Sequence, residues 1–313
     1  VRQKKHWNNS IVNEKEQSYR SGFVAIVGRP NVGKSTLMNR ILGQKISITS
    51  SKPQTTRHRI LGIKTDERSQ CIYVDTPGLH LNAHKAMNRY MNRAATSSLD
   101  DVELILFVVD VHRWTEEDEN VLKRVREKGT PVALVVNKVD EIKDKEELLP
   151  LLQQLSAKMD FAAVVPLSAL KGKNVGELEK VVYDALPEGE PVFPEEYVTD
   201  RSERFLAAEL VREKLMRSLG KELPYATTVE IEQFKEDEGM LRISALIWVE
   251  RQSQKIIVIG KGGERLKEIG RSAREDMERL FGEKVFLQLW VKVKEGWSDN
   301  ERILSSLGYR DEQ

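Results

Sequence analysis

The run Gly28-Arg29-Pro30-Asn31-Val32-Gly33-Lys34-Ser35 has the glycine, lysine and hydroxyl spacing that cradles a triphosphate. Its glycines let backbone N–H groups converge on phosphate oxygens. Lys34 supplies a cation for the β- and γ-phosphates, and the Ser35 hydroxyl is placed to ligate Mg2+. Thr36 carries the run into an amphipathic helix with Leu37, Ile41 and Leu42. At average residue usage the match arises by chance in roughly one chain of this length per hundred. Its position straight after an apolar run makes a plain glycine-rich turn the weaker reading.

Three further segments follow in the order that one chemistry requires. Asp75-Thr76-Pro77-Gly78 closes the apolar run Cys71–Val74, where a carboxylate can hold Mg2+ through water and the Gly78 N–H can approach a γ-phosphate. Asn137-Lys138-Val139-Asp140 closes Val132–Val136. A carboxylate there accepts two hydrogen bonds from the N1–H and N2–H2 edge of guanine. Adenine has no such donor pair, so the motif selects guanine. Ser168-Ala169-Leu170 follows Val164–Leu167 and offers a backbone N–H to guanine O6. Taken singly, the second segment is an ordinary turn and the fourth says little. Together the four imply GTP, with Lys34, Thr56 and Gly78 as the catalytic candidates and Ser35, Thr56 and (through water) Asp75 around Mg2+.

Thr56 lies in Gln44–Arg59, a polar stretch holding Pro53-Gln54-Thr55-Thr56-Arg57 and too long for an ordinary connection. Such a loop, ordered by γ-phosphate and Mg2+ and released on hydrolysis, is a switch. Spacing alone leaves Thr55 and Thr56 both open as the ligand; Thr56, next to Arg57, is favoured. A second switch is expected from Thr76 to about Ala95. Leu79 follows Gly78 where Ras-type enzymes carry a water-orienting glutamine, so slow intrinsic hydrolysis is expected. Asn31 is a candidate for a K+ site beside the phosphates.

The elements that must hold these segments are readable. Phe23–Val27, Cys71–Val74, Leu104–Val109, Val132–Val136 and Val164–Leu167 are short, Val/Ile-rich and continuous, as strands covered on both faces are. Helical stretches alternate with them, with Thr115/Asp118 and Asn174/Glu177 reading as caps. The alternation predicts an α/β domain with a mostly parallel sheet and helices on both faces. It ends near Leu186, and three prolines in Pro187–Pro194 mark a linker, taken as 187–201.

After the linker the order changes to α+β: a helix over Ser202–Leu219, strands at Thr227–Phe234 and Leu241–Glu250, a helix over Glu264–Leu280 and a strand at Val285–Val293. Alternation puts Val229, Ile231 and Gln233 on one face of the first strand. Gly260-Lys261-Gly262-Gly263 is a G-x-x-G loop that lets a nucleic-acid backbone come close. Ile256–Ile259, just before it, reads as strand by β-branched propensity. Trp248, Trp290 and Trp297 read as packing residues rather than base-stacking platforms.

Composition bounds the alternatives. The 313 residues hold one cysteine, Cys71, which excludes an intramolecular disulfide framework and points to a reducing compartment. No apolar run approaches the roughly 20 residues of a membrane span, and residues 1–21, lacking an apolar core, read as a solvated tail. A net charge of +1 argues against nucleic acid only as a sum. Arg251, Lys255, Lys261, Arg265, Lys267, Arg271 and Arg274 gather around the G-x-x-G loop, against Glu264, Glu268 and Glu275, while acidic runs such as Glu116–Glu119 lie elsewhere.

These segments resemble the Era family of bacterial GTPases: GRPNVGKS, PQTTR, DTPG, NKVD and SAL, then VIGKGG and the ending LWVKVKEGW…LGY. The resemblance runs from about Gly22 to the C-terminus. It implies a P-loop GTPase domain (22–186) and a type II KH domain with an extension (202–313), in which the segment before the glycine loop is a short helix. It further implies a monomer that binds the single-stranded 3′ end of 16S rRNA and assists maturation of the 30S subunit, cytoplasmic with some peripheral association with the inner membrane. The rival reading is a GTP-switched scaffold at that membrane, its second domain docking protein or lipid.

Overall fold

The computed structural model of the chain describes residues 18–78, 85–220 and 222–309, without the Lys145 side chain. The first unit contains β1 (Arg20–Val27), α1 (Lys34–Leu42), β2 (Ile60–Thr65), β3 (Ser69–Asp75), α2 (Ala86–Ser97) and β4 (Leu104–Asp110). It continues through α3 (Glu116–Arg126), β5 (Val132–Asn137), α4 (Leu148–Ser156), β6 (Ala163–Pro166) and α5 (Val175–Ala185). The sheet order is β2-β3-β1-β4-β5-β6, with β2 antiparallel to β3 and the other pairs parallel. Both faces of β1 are covered: Val24 and Ile26 pack with Leu37 and Met38, Ala25 and Val27 with Phe107 and Val121. That double cover is why the strands read as continuous apolar runs.

The strand order reverses at β1, which lies between β3 and β4. Ligands of open α/β sheets bind at the carboxyl ends of the strands at such a point. The triphosphate loop after β1, Asp75 at the end of β3, Asn137 at the end of β5 and Ser168 just past β6 all occupy that edge.

The second unit contains α6 (Glu203–Ser218), β7 (Thr227–Asp237), β8 (Met240–Val249), α7 (Gln252–Ile259), α8 (Glu264–Phe281), β9 (Lys284–Val293) and a last helix α9 (Glu301–Ser306). Its sheet runs β7-β8-β9, with β7 antiparallel and β9 parallel to β8. The helices α6 and α8 cover one face of it, as an α+β domain requires. No helix among the described residues is long and apolar enough to cross a membrane.

Several expectations need correction. β1 begins at Arg20, so Arg20 and Ser21 are strand rather than tail. β2 was not among the expected strands; it is a short hairpin arm whose Ile60, Leu61 and Ile63 are buried. Thr115 does form a capping box with Asp118, but Asn174 makes no cap: its φ is 59° and its side chain donates to Pro166 O. In β7 the register shifts between Ile231 and Gln233, so the alternation changes phase there. Gln233 is exposed, and Phe234 turns inward against Phe281. Ile256–Ile259 is helical, because packing of Val258 into the core overrides β propensity. Trp297 is fully buried, whereas Trp290 is 55% exposed and no packing residue.

The segment 187–201 is bonded along the first unit. Val192 N and Phe193 N donate to Gln70 Oε1, Ile63 N donates to Val198 O, and Ser21 N donates to Pro187 O. The C-terminal segment crosses back too: Trp297, Leu304 and Tyr309 pack with Met87, Tyr90 and Met91 of α2.

Candidate nucleotide cleft and nucleic-acid groove

The cleft at the sheet edge has a volume of about 340 Å3, within the roughly 300–1,000 Å3 of small-molecule sites. Of the residues expected there, Pro30, Asn31, Gly33, Lys34, Ser35, Thr36, Thr56, Gly78, Asn137, Lys138, Asp140, Ala169 and Leu170 line it. Others support it from behind. Val32 is a core residue, the Arg29 guanidinium turns onto Asp118 (3.0 Å), and Thr76 donates to Ile26 O. Pro77 and Ser168 are buried, and Val139 packs against the apolar cluster of β4 and β5. Leu79 lies outside the described residues, as do 80–84 of the second switch.

Two glycines of the phosphate loop are dictated by close approach. Gly28 has φ 152°, and a Cβ there would lie 2.3 Å from Val108 O; at Gly33, φ 102°, it would lie 2.3 Å from Asn137 Nδ2. Lys34 Nζ bridges the loop, donating to Gly28 O (2.9 Å) and Arg29 O (3.0 Å). Burial draws its pKa down to about 8, with Asp75 pulling the other way. A polyphosphate beside it restores the charged form.

Four oxygens gather where the sequence places Mg2+. Ser35 Oγ donates to Asp75 Oδ2 at 2.7 Å and meets Thr56 Oγ1 at 2.9 Å, while Ser47 Oγ also donates to Asp75 Oδ2 at 2.7 Å. Asp75 Oδ1 is buried and, among the described residues, without a hydrogen-bond partner. Burial pushes the Asp75 carboxyl up, and the two serine hydroxyls pull it back. Hard oxygen donors around an orphaned carboxylate oxygen fit Mg2+. Thr55 also lines the cleft, but its hydroxyl is engaged, donating to Lys52 O at 2.7 Å.

At the base end the expected motifs divide their work. Asn137 Nδ2 donates to Val32 O (2.8 Å), and its Oδ1 accepts from Lys138 N (2.8 Å) and Ala169 N (3.0 Å). It therefore knits three loops together. Asp140 is exposed and, among the described residues, makes no hydrogen bond, leaving both carboxylate oxygens to accept from a ligand. Ala169 N is committed to Asn137 and Ser168 N to Lys173 O, so Leu170 has the N–H of that tripeptide left without a partner among the described residues.

In the second unit Gly260, Gly262 and Gly263 all have positive φ (76°, 60° and 80°), and Lys261 stands exposed between them. A Cβ at Gly260 would lie 2.8 Å from Arg265 Cβ. Beside this loop a groove of about 500 Å3 is floored by Leu266, Leu287 and Leu289 and edged by Lys267, Arg271 and Arg274. Ile256 and Ile257 of α7 are exposed.

Known proteins fit both units. A family profile described as "50S ribosome-binding GTPase" matches residues 23–138, and one described as "KH domain" matches 222–298. The chain is 63% identical to GTPase Era of Pasteurella multocida over 93% of its own length and 95% of that protein's. Against GTPase Era of Ectopseudomonas mendocina it is 61% identical, covering 93% and 98%. The chain belongs to the Era family of GTPases. Solved Era structures agree: a tyrosine-to-alanine variant from Aquifex aeolicus bound to GDP·AlF4− superposes with TM-score 0.90 at 42% identity, covering 93% of this chain and 99% of that one. An Era complex with MgGDPNP and nucleotides 1506–1542 of 16S ribosomal RNA superposes equally well, with the same coverage.

This Era-family GTPase also uses residues that sequence reasoning missed. Ser47 reaches Asp75 only because Asn39 Oδ1 accepts from Ile46 N and Ser47 N and fixes the loop that follows α1. Thr49, Lys52, Gln54 and Glu141 line the cleft. Their one sequence signal was proximity to the switch segment and to Asp140.

Proposed function

We propose that this GTPase binds the single-stranded 3′ end of 16S rRNA through its KH domain and assists maturation of the 30S subunit, with GTP state controlling the association. The observation that carries this is the Gly260–Gly263 loop, with its three positive-φ glycines, beside a groove with an apolar floor and a cationic rim, in a KH domain. The solved Era complex with a 16S rRNA fragment supports the same reading. We take the GTPase domain as 22–186 extended back to Arg20, where β1 begins, with 187–201 as linker and 202–313 as the KH domain with its extension.

In the cleft, Ser35 and Thr56 hydroxyls and Asp75 through water would hold Mg2+, which supplies charge neutralisation on the β- and γ-phosphates. Lys34 and the N–H groups of Asn31–Thr36 bind phosphate oxygens, and the Gly78 N–H orients the γ-phosphate. Asp140 reads the guanine edge, and Leu170 N–H faces O6. GTP and GDP are the nucleotides, and Asn31 marks a place for K+.

Titration of a labelled oligonucleotide of the 16S rRNA 3′ end, with a non-hydrolysable GTP analogue or GDP, tests the reading. Tighter binding in the GTP form, lost in Gly262→Asp, is expected. No binding in either state refutes the RNA role.

A further inference from the structure

The loop that carries Thr56 is gripped by the KH domain on both sides of that residue. Arg212 Nη2 of α6 donates to Thr55 O, Lys52 Nζ donates to Met216 O and Leu219 O, and Thr49 N donates to Glu213 Oε1 at 2.9 Å. Arg57, the residue after Thr56, reaches furthest and is fully buried. Its Nη1 donates to Thr227 O (2.8 Å) and Tyr309 Oη (3.4 Å), and its Nη2 to Pro224 O (3.3 Å) and Tyr225 O (3.2 Å). The guanidinium lies 6.0 Å from the Trp297 ring centroid. Next along the chain, His58 stacks on Tyr309 with ring centroids 4.6 Å apart.

Among the described residues no carboxylate forms an ion pair with Arg57. A buried cation held by carbonyls, a phenol and an aromatic face is retained by geometry, because desolvation opposes it. Consecutive Cα atoms are about 3.8 Å apart, so Thr56 cannot travel far from Ser35 without disturbing the Arg57 seat. The reverse holds equally.

We propose that Arg57 is a positioning residue for GTP recognition. Its seat, formed by the Pro224–Thr227 turn of the KH domain and Tyr309 of the C-terminal segment, holds the Thr56 hydroxyl where the γ-phosphate and Mg2+ need it. Tyr309, which does not line the cleft, thereby belongs to the GTP-sensing apparatus. By linkage, a nucleotide that fixes Thr56 also fixes the turn that begins β7. The inference rests on our assignment of Thr56 to the metal and is independent of RNA binding.

Two full-length variants test it: Arg57→Lys, which keeps the charge but loses the planar fork, and Tyr309→Phe, which removes one hydroxyl. The readout is the affinity for a Mg2+-bound non-hydrolysable GTP analogue against that for GDP. Arg57→Lys is expected to weaken the analogue about tenfold, and Tyr309→Phe about threefold. Both leave GDP affinity within about twofold. Equal weakening of the two nucleotides makes Arg57 mere cement between the domains and overturns the proposal, as does an unchanged preference in both variants. Should Arg57→Lys fail to fold, Tyr309→Phe decides by the same criteria. Failure of the Thr56 assignment is separable: Thr56→Ala then spares the analogue's preference in the wild-type background.

Discussion

Asn137→Ala separates a residue that builds the cleft from one that reads the base. The wild-type amide is 2% exposed and makes three hydrogen bonds, to Val32 O, Lys138 N and Ala169 N. Truncation deletes all three and leaves a carbonyl and two N–H groups to find other partners. At about 0.5–1.5 kcal/mol each, the loss is about 2–4 kcal/mol. For a domain of this size that lowers the thermal midpoint by roughly 4–16 °C. Because the three bonds join the phosphate loop, the Asn137–Asp140 segment and the Ser168–Leu170 loop, GTP and XTP affinities are expected to fall together. Asp140→Asn makes the contrast. Its carboxylate is exposed and has no hydrogen bond among the described residues, so the midpoint stays within about 1–2 °C while preference moves from GTP toward XTP. The assays are thermal unfolding followed by circular dichroism and competition for a fluorescent nucleotide. A midpoint shift below 2 °C for Asn137→Ala, or a change of base preference in that variant, refutes the division of labour.

Gly78→Ala places a Cβ 2.8 Å from Pro30 Cγ and 2.9 Å from Pro30 N, which pushes the second switch off the phosphate loop. GTP turnover is expected to fall about 10²-fold with GDP affinity nearly unchanged, and single-turnover hydrolysis measures it. Acid is expected to loosen the joint between the domains. Burial alone would raise the carboxyl pKa of Glu213 and Asp276, but Lys45 bonds to both, aided by Thr49 N at Glu213 and Lys214 at Asp276, and holds them below the ordinary range. Unfolded carboxylates take up protons near pH 4, so this stabilisation is complete above about pH 5 and declines as pH falls. Asp276→Asn should flatten the acid limb of the thermal midpoint against pH; an unaltered limb refutes the role. Asn31, at φ 66° on the cleft rim, predicts faster GTP turnover in K+ than in Na+ and no difference in Asn31→Ala. Equal wild-type rates in the two salts dispose of that site.

Most of the cleft was legible because each of its segments is local: a short apolar strand followed at once by the residues we propose for phosphate, metal or base. Parallel topology then collects those strand ends on one edge without further instruction. What could not be read depends on distant partners. Arg57 looked like a neighbour of Thr56, yet it bonds to Thr227, 170 residues away. α6 was recognised as a helix, but its sequence did not say which of its charged residues would be buried. Glu209, Arg212, Glu213 and Lys214 are all buried, because one side of α6 packs in the KH core and the other meets the switch loop. In α7 a single buried contact, Val258, outweighed the β-branched composition, and the register shift in β7 left no mark on the alternating sequence.

The chemistry of that joint explains how one helix can serve two domains. Ala207, Leu210, Val211 and Leu215 commit α6 to the KH core, an apolar contact that hydration does not easily undo. Toward the GTPase domain the same helix presents Glu209 and Arg212 in a bidentate pair (2.6 and 2.7 Å) and Glu213 to Lys45. Buried ion pairs add little net stability against an apolar packing of the same volume, because desolvation offsets their attraction. They are nevertheless strict about geometry, and once separated their charges are readily hydrated. An apolar surface on this side would hold the domains together in every nucleotide state and would expose a sticky face if they parted. The charged surface does the opposite: it fixes one arrangement while the loop is in place and, under the proposed switching, would leave a soluble face once the loop moved. The buried charges of α6, which obscured its burial in the sequence, are thus what the proposed nucleotide-controlled joint requires.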